Sequence, residues 1–317
     1  MLVSIGRKCI FSVLVSFFIL VIAGGAFASG EKVNVLCTTF PIYQITRNVV
    51  KGSSGMNVEL MLPSNLGCPH DYSLTPGDMQ KIAKADVLVI NGLGMEEFLG
   101  APVKRASSRL LIIDSSAGIR NLLEYTEEDH DMKGHHEEKV HLHEGLNPHL
   151  FASPHMYGLL AVNIARGLSK ADPKGAGIYG RNATEYKLKM DRLADEFTSL
   201  VKKLKNRNIV TQHGAFDYLA RDTGLRIVAV LQSHPGMEPS ASEMISIIGK
   251  IRKYRAGAIY YEPQFSSRTP EAISKETGIP AAILDPCATG PDNAGLDYYE
   301  RVMRRNIVTI QRTLGSI

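Results

Sequence analysis

Eight short apolar runs constrain this chain more than any other feature. Four lie in its first half, "VNVLCTT", "NVELMLP", "ADVLVING" and "RLLIIDSS". Four more follow in its second, "RNIVTQH", "LRIVAVL", "AGAIYYEP" and "IPAAILDP". Runs of this length, rich in Val, Ile and Leu and bounded by turn residues, read as buried strands. Stretches with helical spacing separate them, and a crossover helix is the economical return between parallel strands. The expected fold class is therefore α/β, with two lobes that are each a mainly four-stranded parallel sheet with flanking helices.

Between the halves, "NATEYKLKMDRLADEFTSLVKKLKN" places Ala183, Tyr186, Met190, Leu193, Phe197, Leu200 and Leu204 three or four residues apart, the stripe of one long amphipathic helix. At roughly 30 residues and about 1.5 Å per residue it outreaches a single lobe, so it is expected to join the two as a rigid strut. Thr75-Pro76, Ser153-Pro154 and Thr269-Pro270 each pair a capping hydroxyl with proline at a first helical position, and Ser240 with Glu243 fits a capping box.

The chain's 317 residues, 44% of them hydrophobic, suffice for two domains. Arg7 and Lys8, the apolar run "CIFSVLVSFFILVIAGGAF" and the small residues Ala26 and Ala28 read as a secretory signal over 1–28. The alternative is a retained membrane anchor. The expected division is signal peptide 1–28, N-terminal lobe 29–172, linking helix 173–206 and C-terminal lobe 207–317. Losing Arg7 and Lys8 would lower the formal net charge from +4 by two to +2, too small a balance to suggest nucleic acid. No cysteine follows the cut in a lipid-attachment context, so a soluble, exported, periplasmic protein without a lipid anchor is expected. Cys37, Cys68 and Cys287 would remain, which does not describe a disulfide-stapled small fold.

Four residues stand out by position. His70 lies in the loop after the second run; His149 just before a proline-started helix; His213 at the end of the first run of the second half; Asp285 at the end of its last. Ligands of open α/β sheets collect beyond the carboxyl ends of the strands. Three imidazoles and a carboxylate, two from each half, make a tetrahedral set for Zn²⁺. Each alone has a plain structural alternative: a hydrogen-bonded core histidine, or an Asp-Pro turn.

Several segments together, "VLCTTFPIYQITRNVVKG", "LPSNLGCPHDYSLTPGDMQKIAKADVLVINGLGMEEFL", "NPHLFASP", "HGAFDYLARDTGL", "MEPSASEM", "YYEPQFSSR" and "LDP", resemble the zinc- and manganese-binding proteins of bacterial ABC importers, the ZnuA-type solute-binding family. The resemblance runs from about Val33 to the C-terminus. It implies two α/β lobes bridged by a long helix with Zn²⁺ held between them by His70, His149, His213 and Asp285. It also implies an extracytoplasmic monomer that catalyses nothing and hands zinc to an ABC permease and its ATPase. Cys68 and Asn147 stand where the family usually has an acidic residue, and Phe151 where it has tryptophan, so the surroundings of the ligands are expected to differ.

Members that select manganese tend to carry a carboxylate in place of the third histidine, so His213 favours zinc. A manganese or iron carrier of the same family is the first alternative. A secreted zinc hydrolase is the second, with Glu238 or Glu262 as its acid or base, although "HEGLN" around His143 lacks the second histidine of H-E-x-x-H. The span 124–144 carries five histidines, eight acidic residues and two lysines. It reads as an exposed loop, serving either as an auxiliary metal collector or only as a solvated tract. Cys68 and Cys287, each two residues from an expected ligand, are read as small buried hydrophobes, with a disulfide or thiolate ligation as alternatives.

Overall fold

Every apolar run identified in the sequence overlaps a strand, and the strands covered on both faces are apolar at nearly every position. The computed structural model describes residues 32–67, 69, 72–100, 110–125, 145–232 and 237–315. His70 and Cys68, the expected signal 1–28 and nearly all of the histidine-rich span lie outside them. The first sheet comprises β1 (Val33–Cys37), β2 (Met56–Leu60), β3 (Val87–Ile90) and β4 (Leu111–Asp114), all parallel, in the order β2-β1-β3-β4. The second repeats that order with β5 (Asn208–Thr211), β6 (Arg226–Val230), β7 (Ala258–Tyr261) and β8 (Ala281–Ile283), again all parallel, as β6-β5-β7-β8.

Side chains alternate between two cores with the period of a strand. In β1, Val35 and Cys37 enter the main core while Leu36 joins a smaller cluster; in β5, Ile209 faces the main core and Val210 an outer one. Eight α-helices lie among the described residues. In the N-terminal half α1 (Phe40–Val49) and α2 (Pro76–Lys84) flank the sheet. A helical pair follows, α3 (Pro154–Ala171) and α4 (Ala176–Lys203). Around the second sheet stand α5 (Asp217–Thr223), α6 (Ala241–Tyr254), α7 (Arg268–Thr277) and α8 (Tyr298–Leu314).

The long helix is α4, 28 residues, packed on α3 and α1 and also on α5 and α8 of the second half. Its buried stripe runs Tyr179, Ala183, Tyr186, Met190, Leu193, Phe197, Val201. Val201 fills the place expected of Leu200, because the last step is four residues rather than three. Tyr157 of α3 stacks on Tyr299 of α8 at 3.7 Å between ring centres, and Tyr299 donates to the Phe151 carbonyl at 2.8 Å. One continuous core thus runs from Val35 and Ile45 through α3 and α4 to Leu284 and Val302, which leaves little freedom for the halves to move as separate bodies.

Three of the four expected helix starts are built as read. Thr75 and Asp78 form a capping box, Ser240 and Glu243 another, and Ser153 accepts from the Met156 N–H. The fourth differs: α7 begins at Arg268, two residues earlier, and Thr269 donates its hydroxyl to Glu238 instead of capping. Pro270 is still tolerated, since the first turn's N–H groups have no partner within the helix. Cys37 and Cys287 are buried free thiols, so Cys287 carries no disulfide; burial pushes Cys37 up to about 12 and Cys287 upward as well.

Candidate metal centre

In each sheet the strand order reverses between two central strands, β1 and β3 in one and β5 and β7 in the other. Such a switch point opens a crevice at the carboxyl ends. His213 stands two residues beyond β5 and Glu262 one residue beyond β7, so neighbouring strands deliver them side by side. Nδ1 of His213 lies 2.5 Å from Oε1 of Glu262, with both side chains fully buried. The approach is too bent for a regular hydrogen bond, but a carboxylate oxygen that close still calls for the imidazole proton on Nδ1. The other carboxylate oxygen accepts from Gln264 Nε2 at 2.8 Å.

His149 arrives differently, on the segment that enters α3. That segment is held from the first sheet: Asn91, the residue after β3, donates its Nδ2 to the Pro148 carbonyl at 2.9 Å. His149 is wholly buried, and its Nδ1 lies 2.9 Å from Oδ1 of Asn147. The same oxygen accepts the His149 main-chain N–H at 2.9 Å. On the other side, Asn147 Nδ2 donates to the Gly214 carbonyl and to Asp217 Oδ2, each at 2.8 Å. Those four contacts leave one orientation for the amide.

Both imidazoles therefore present Nδ1 to an acceptor, which puts the proton there and the lone pair on Nε2. The two Nε2 atoms face each other at 3.4 Å. Two nitrogens bound at about 2.05 Å to one tetrahedral ion stand about 3.3 Å apart. The observed spacing is thus the one that two imidazoles sharing a single tetrahedral ion would take. Aromatic rings close round the pair: Tyr125 and Phe151 beside His149 and Phe265 beside His213, with centroid separations of 6.1, 5.8 and 5.7 Å.

Asp285 follows β8 by two residues and accepts the Cys287 N–H through Oδ1 at 2.8 Å, the turn its Asp-Pro sequence favours. Asn306 pins its main chain by accepting from the Asp285 N–H and donating to the Asp285 carbonyl. Burial pushes its carboxyl up to about 6, opposed by the Cys287 N–H and by Arg305 and reinforced by the negative charge of Glu262. Among the described residues no group of three or more His, Cys, Asp or Glu side chains is spaced to hold a metal ion. His149 and His213 are brought together, while the hydrogen bonds of Asp285 run to Cys287 and Asn306. Of the histidine-rich span only its root is described: Glu124 bridges Leu146, and the Tyr125 N–H donates to the Gly145 carbonyl.

Glu262 was a candidate only under the hydrolase alternative, and its place does not suit that role. As a hydrolytic acid or base it would have to face the ion; it lies instead on the Nδ1 side of His213. The same strand-end rule that marks His213 marks Glu262. Glu238, the other candidate acid, accepts from Thr269. Asp217 carried no signal in the sequence, because its role depends on a partner 70 residues away.

A family described as "Zinc-uptake complex component A periplasmic" (ZnuA) matches residues 35–313. The zinc-binding protein AdcA of Streptococcus pyogenes serotype M3 is 32% identical over 292 residues, covering 89% of this chain and 56% of AdcA. The chain thus spans little more than half the length of that relative. The high-affinity zinc uptake system protein ZnuA of Bacillus subtilis is 30% identical over 299 residues, covering 92% of this chain and 90% of that one. Among solved structures, Zn(II)-bound AdcA from Streptococcus pneumoniae superposes with a TM-score of 0.73 at 27% identity, covering 90% of this chain and 58% of that one.

Proposed function

We propose a function on the premise that this chain belongs to the ZnuA family of periplasmic zinc-uptake components. It captures Zn²⁺ outside the cytoplasmic membrane and delivers it to an ABC permease driven by an ATPase. It is a carrier, not an enzyme, and works as a monomer. The ion is held by His149 and His213, completed by His70 from the N-terminal half and Asp285 from the C-terminal half.

The observation that carries the reading is the pair of buried Nε2 atoms 3.4 Å apart, each with its Nδ1 engaged. A role for His70 is supported by Gly67, three residues before it, where an added side chain would come within 3.3 Å of Gln264, the residue bonded to Glu262. The negative charge shared between Glu262 and Asp285 adds attraction for a divalent cation. Two imidazoles suit Zn²⁺ better than Mn²⁺, which prefers oxygen. The named zinc-binding and zinc-uptake relatives point the same way.

Metal-stripped protein titrated with Zn²⁺ and Mn²⁺ in competition tests this directly. Zinc is expected to win, and His213→Ala to lose at least a hundredfold in Zn²⁺ affinity while His136→Ala changes it little. Equal losses in the two variants would refute the site, and a preference for manganese would refute the cargo.

A further inference from the structure

The zinc reading leaves unexplained why a second, half-buried carboxylate stands beside the site, bonded to an amide rather than to a histidine. Asp217 opens α5 in the C-terminal half, and its Oδ2 accepts from Asn147 Nδ2 at 2.8 Å. Tyr218, the next residue, donates its hydroxyl to the Asn147 carbonyl at 2.8 Å and accepts the Leu123 N–H. The first turn of α5 thus grips Asn147 by side chain and main chain together. Asn147 in turn sets His149, through the contact from Oδ1 to Nδ1.

We propose that Asp217 is a positioning residue for the metal centre, acting through the Asn147 amide to hold His149 with its proton on Nδ1 and its lone pair on Nε2. This rests on the zinc reading for its function, but not for its geometry. The amide's four contacts divide by type: two donors from His149 on its oxygen, two acceptors from the C-terminal half on its nitrogen. A carboxylate at 147 would set oxygen against the Gly214 carbonyl and Asp217, so the charge that orients this imidazole stands one residue further out. The link also crosses the molecule. Any shift of the first turn of α5 away from the α3 entry segment loosens a ligand that the other half carries.

The experiment uses the full chain with three variants, Asp217→Ala, Asp217→Asn and Asn147→Asp, and the double variant Asn147→Asp with Asp217→Asn. Zn²⁺ affinity is measured by competition with a chelating dye. The tautomer of His149 is read in metal-free protein from ¹⁵N imidazole shifts, a property that a merely structural role of Asp217 would not move. Asp217→Ala should weaken Zn²⁺ binding about ten- to a hundredfold and mix the two tautomers. Asp217→Asn keeps an acceptor toward Asn147 and should stay within about threefold with one tautomer. In the Asn147→Asp background, where two carboxylates meet, Asp217→Asn should instead restore affinity at least tenfold.

Wild-type affinity and a single tautomer in Asp217→Ala would overturn the proposal. Should Asp217→Ala fail to fold, an Asp217→Asn change that does nothing in the Asn147→Asp background would overturn it equally. If the wild-type chain takes up no zinc, the functional reading fails while the tautomer measurement still judges the positioning role.

Discussion

The two switch points share one strand order, and each is closed by a buried glutamate, yet only one lends its carboxylate to a histidine. At the first, Glu96 accepts from the Thr38 hydroxyl after β1 and from the N–H groups of Asn91 and Gly92 after β3. All its partners belong to the scaffold. At the second, Glu262 faces His213 and Gln264. The N-terminal half therefore spends its crevice on bracing the strand ends. Through Asn91 and the Pro148 carbonyl it supports a ligand carried by another segment. The C-terminal half places its histidine directly on a strand end. Repetition of a topology does not repeat the chemistry; what matters is whether the buried carboxylate meets main-chain donors or an imidazole.

Removing each glutamate breaks that contrast in a different place. Glu96→Ala strands two buried N–H groups, each costing about 1–3 kcal/mol, and leaves the Thr38 hydroxyl only its longer contact with the Val89 carbonyl. We expect a stability loss of about 3–5 kcal/mol in chemical denaturation, with the unfolding of both halves still a single transition because they share one core. A loss below about 1 kcal/mol would show that the brace is idle.

The same residue gives a pH signature. Burial raises the Glu96 carboxyl from 4.5 to about 7, against the opposing effect of its three donors. A carboxyl that holds its proton more tightly in the folded state adds stability that is complete below pH 4.5 and is lost as pH climbs through about 7. Relative to Glu96→Gln, the wild-type chain should lose up to about 3 kcal/mol across that window. Asp217 and Asp285, also raised to about 6 by burial, are common to both proteins and cancel in the difference. A flat difference between pH 4.5 and 7 would remove the ionisation argument.

Glu262→Gln probes the other switch point. It keeps the shape but replaces the charge behind His213, so Zn²⁺ affinity should fall about ten- to a hundredfold, roughly 1.4–2.7 kcal/mol. Stability should suffer less than in Glu96→Ala. Were the two glutamates to behave alike in both assays, the distinction between brace and positioning group would collapse.

The sheets were readable because strands covered on both faces leave an uninterrupted apolar trace, as in "ADVLVING". His213 was readable because a strand end is a position that sequence marks. What escaped depends on partners distant in the chain. Nothing near Asp217 announces an amide 70 residues earlier, and nothing near Thr269 tells that its hydroxyl answers Glu238 rather than its own helix. Glu262 was visible as a residue at a strand end but its contact with His213 was not, since a strand end fixes where a side chain starts and not which atom of its neighbour it meets. The shared core is a similar case: the spacing in α4 gave the stripe, while the ring stack of Tyr157 and Tyr299 joins two helices well separated in sequence.

The smallest expected difference between the halves lies in their two capping boxes. In both, a hydroxyl accepts the N–H of the third helical residue and that residue's carboxylate accepts the cap's own N–H. At α2 the carboxylate belongs to Asp78, which is buried and also accepts from the hydroxyls of Thr75 and Tyr72, each at 2.7 Å. At α6 Ser240 is exposed, and its hydroxyl otherwise meets only that of Ser242. Water can replace the lost contact at Ser240 but not easily at Asp78. Thr75→Ala should therefore cost about 1–2 kcal/mol and Ser240→Ala about 0.5–1 kcal/mol in thermal or chemical unfolding. A reversal of that order would mean that Tyr72 alone satisfies Asp78, and that the tie between Thr75 and the carboxylate adds nothing to the N-terminal half.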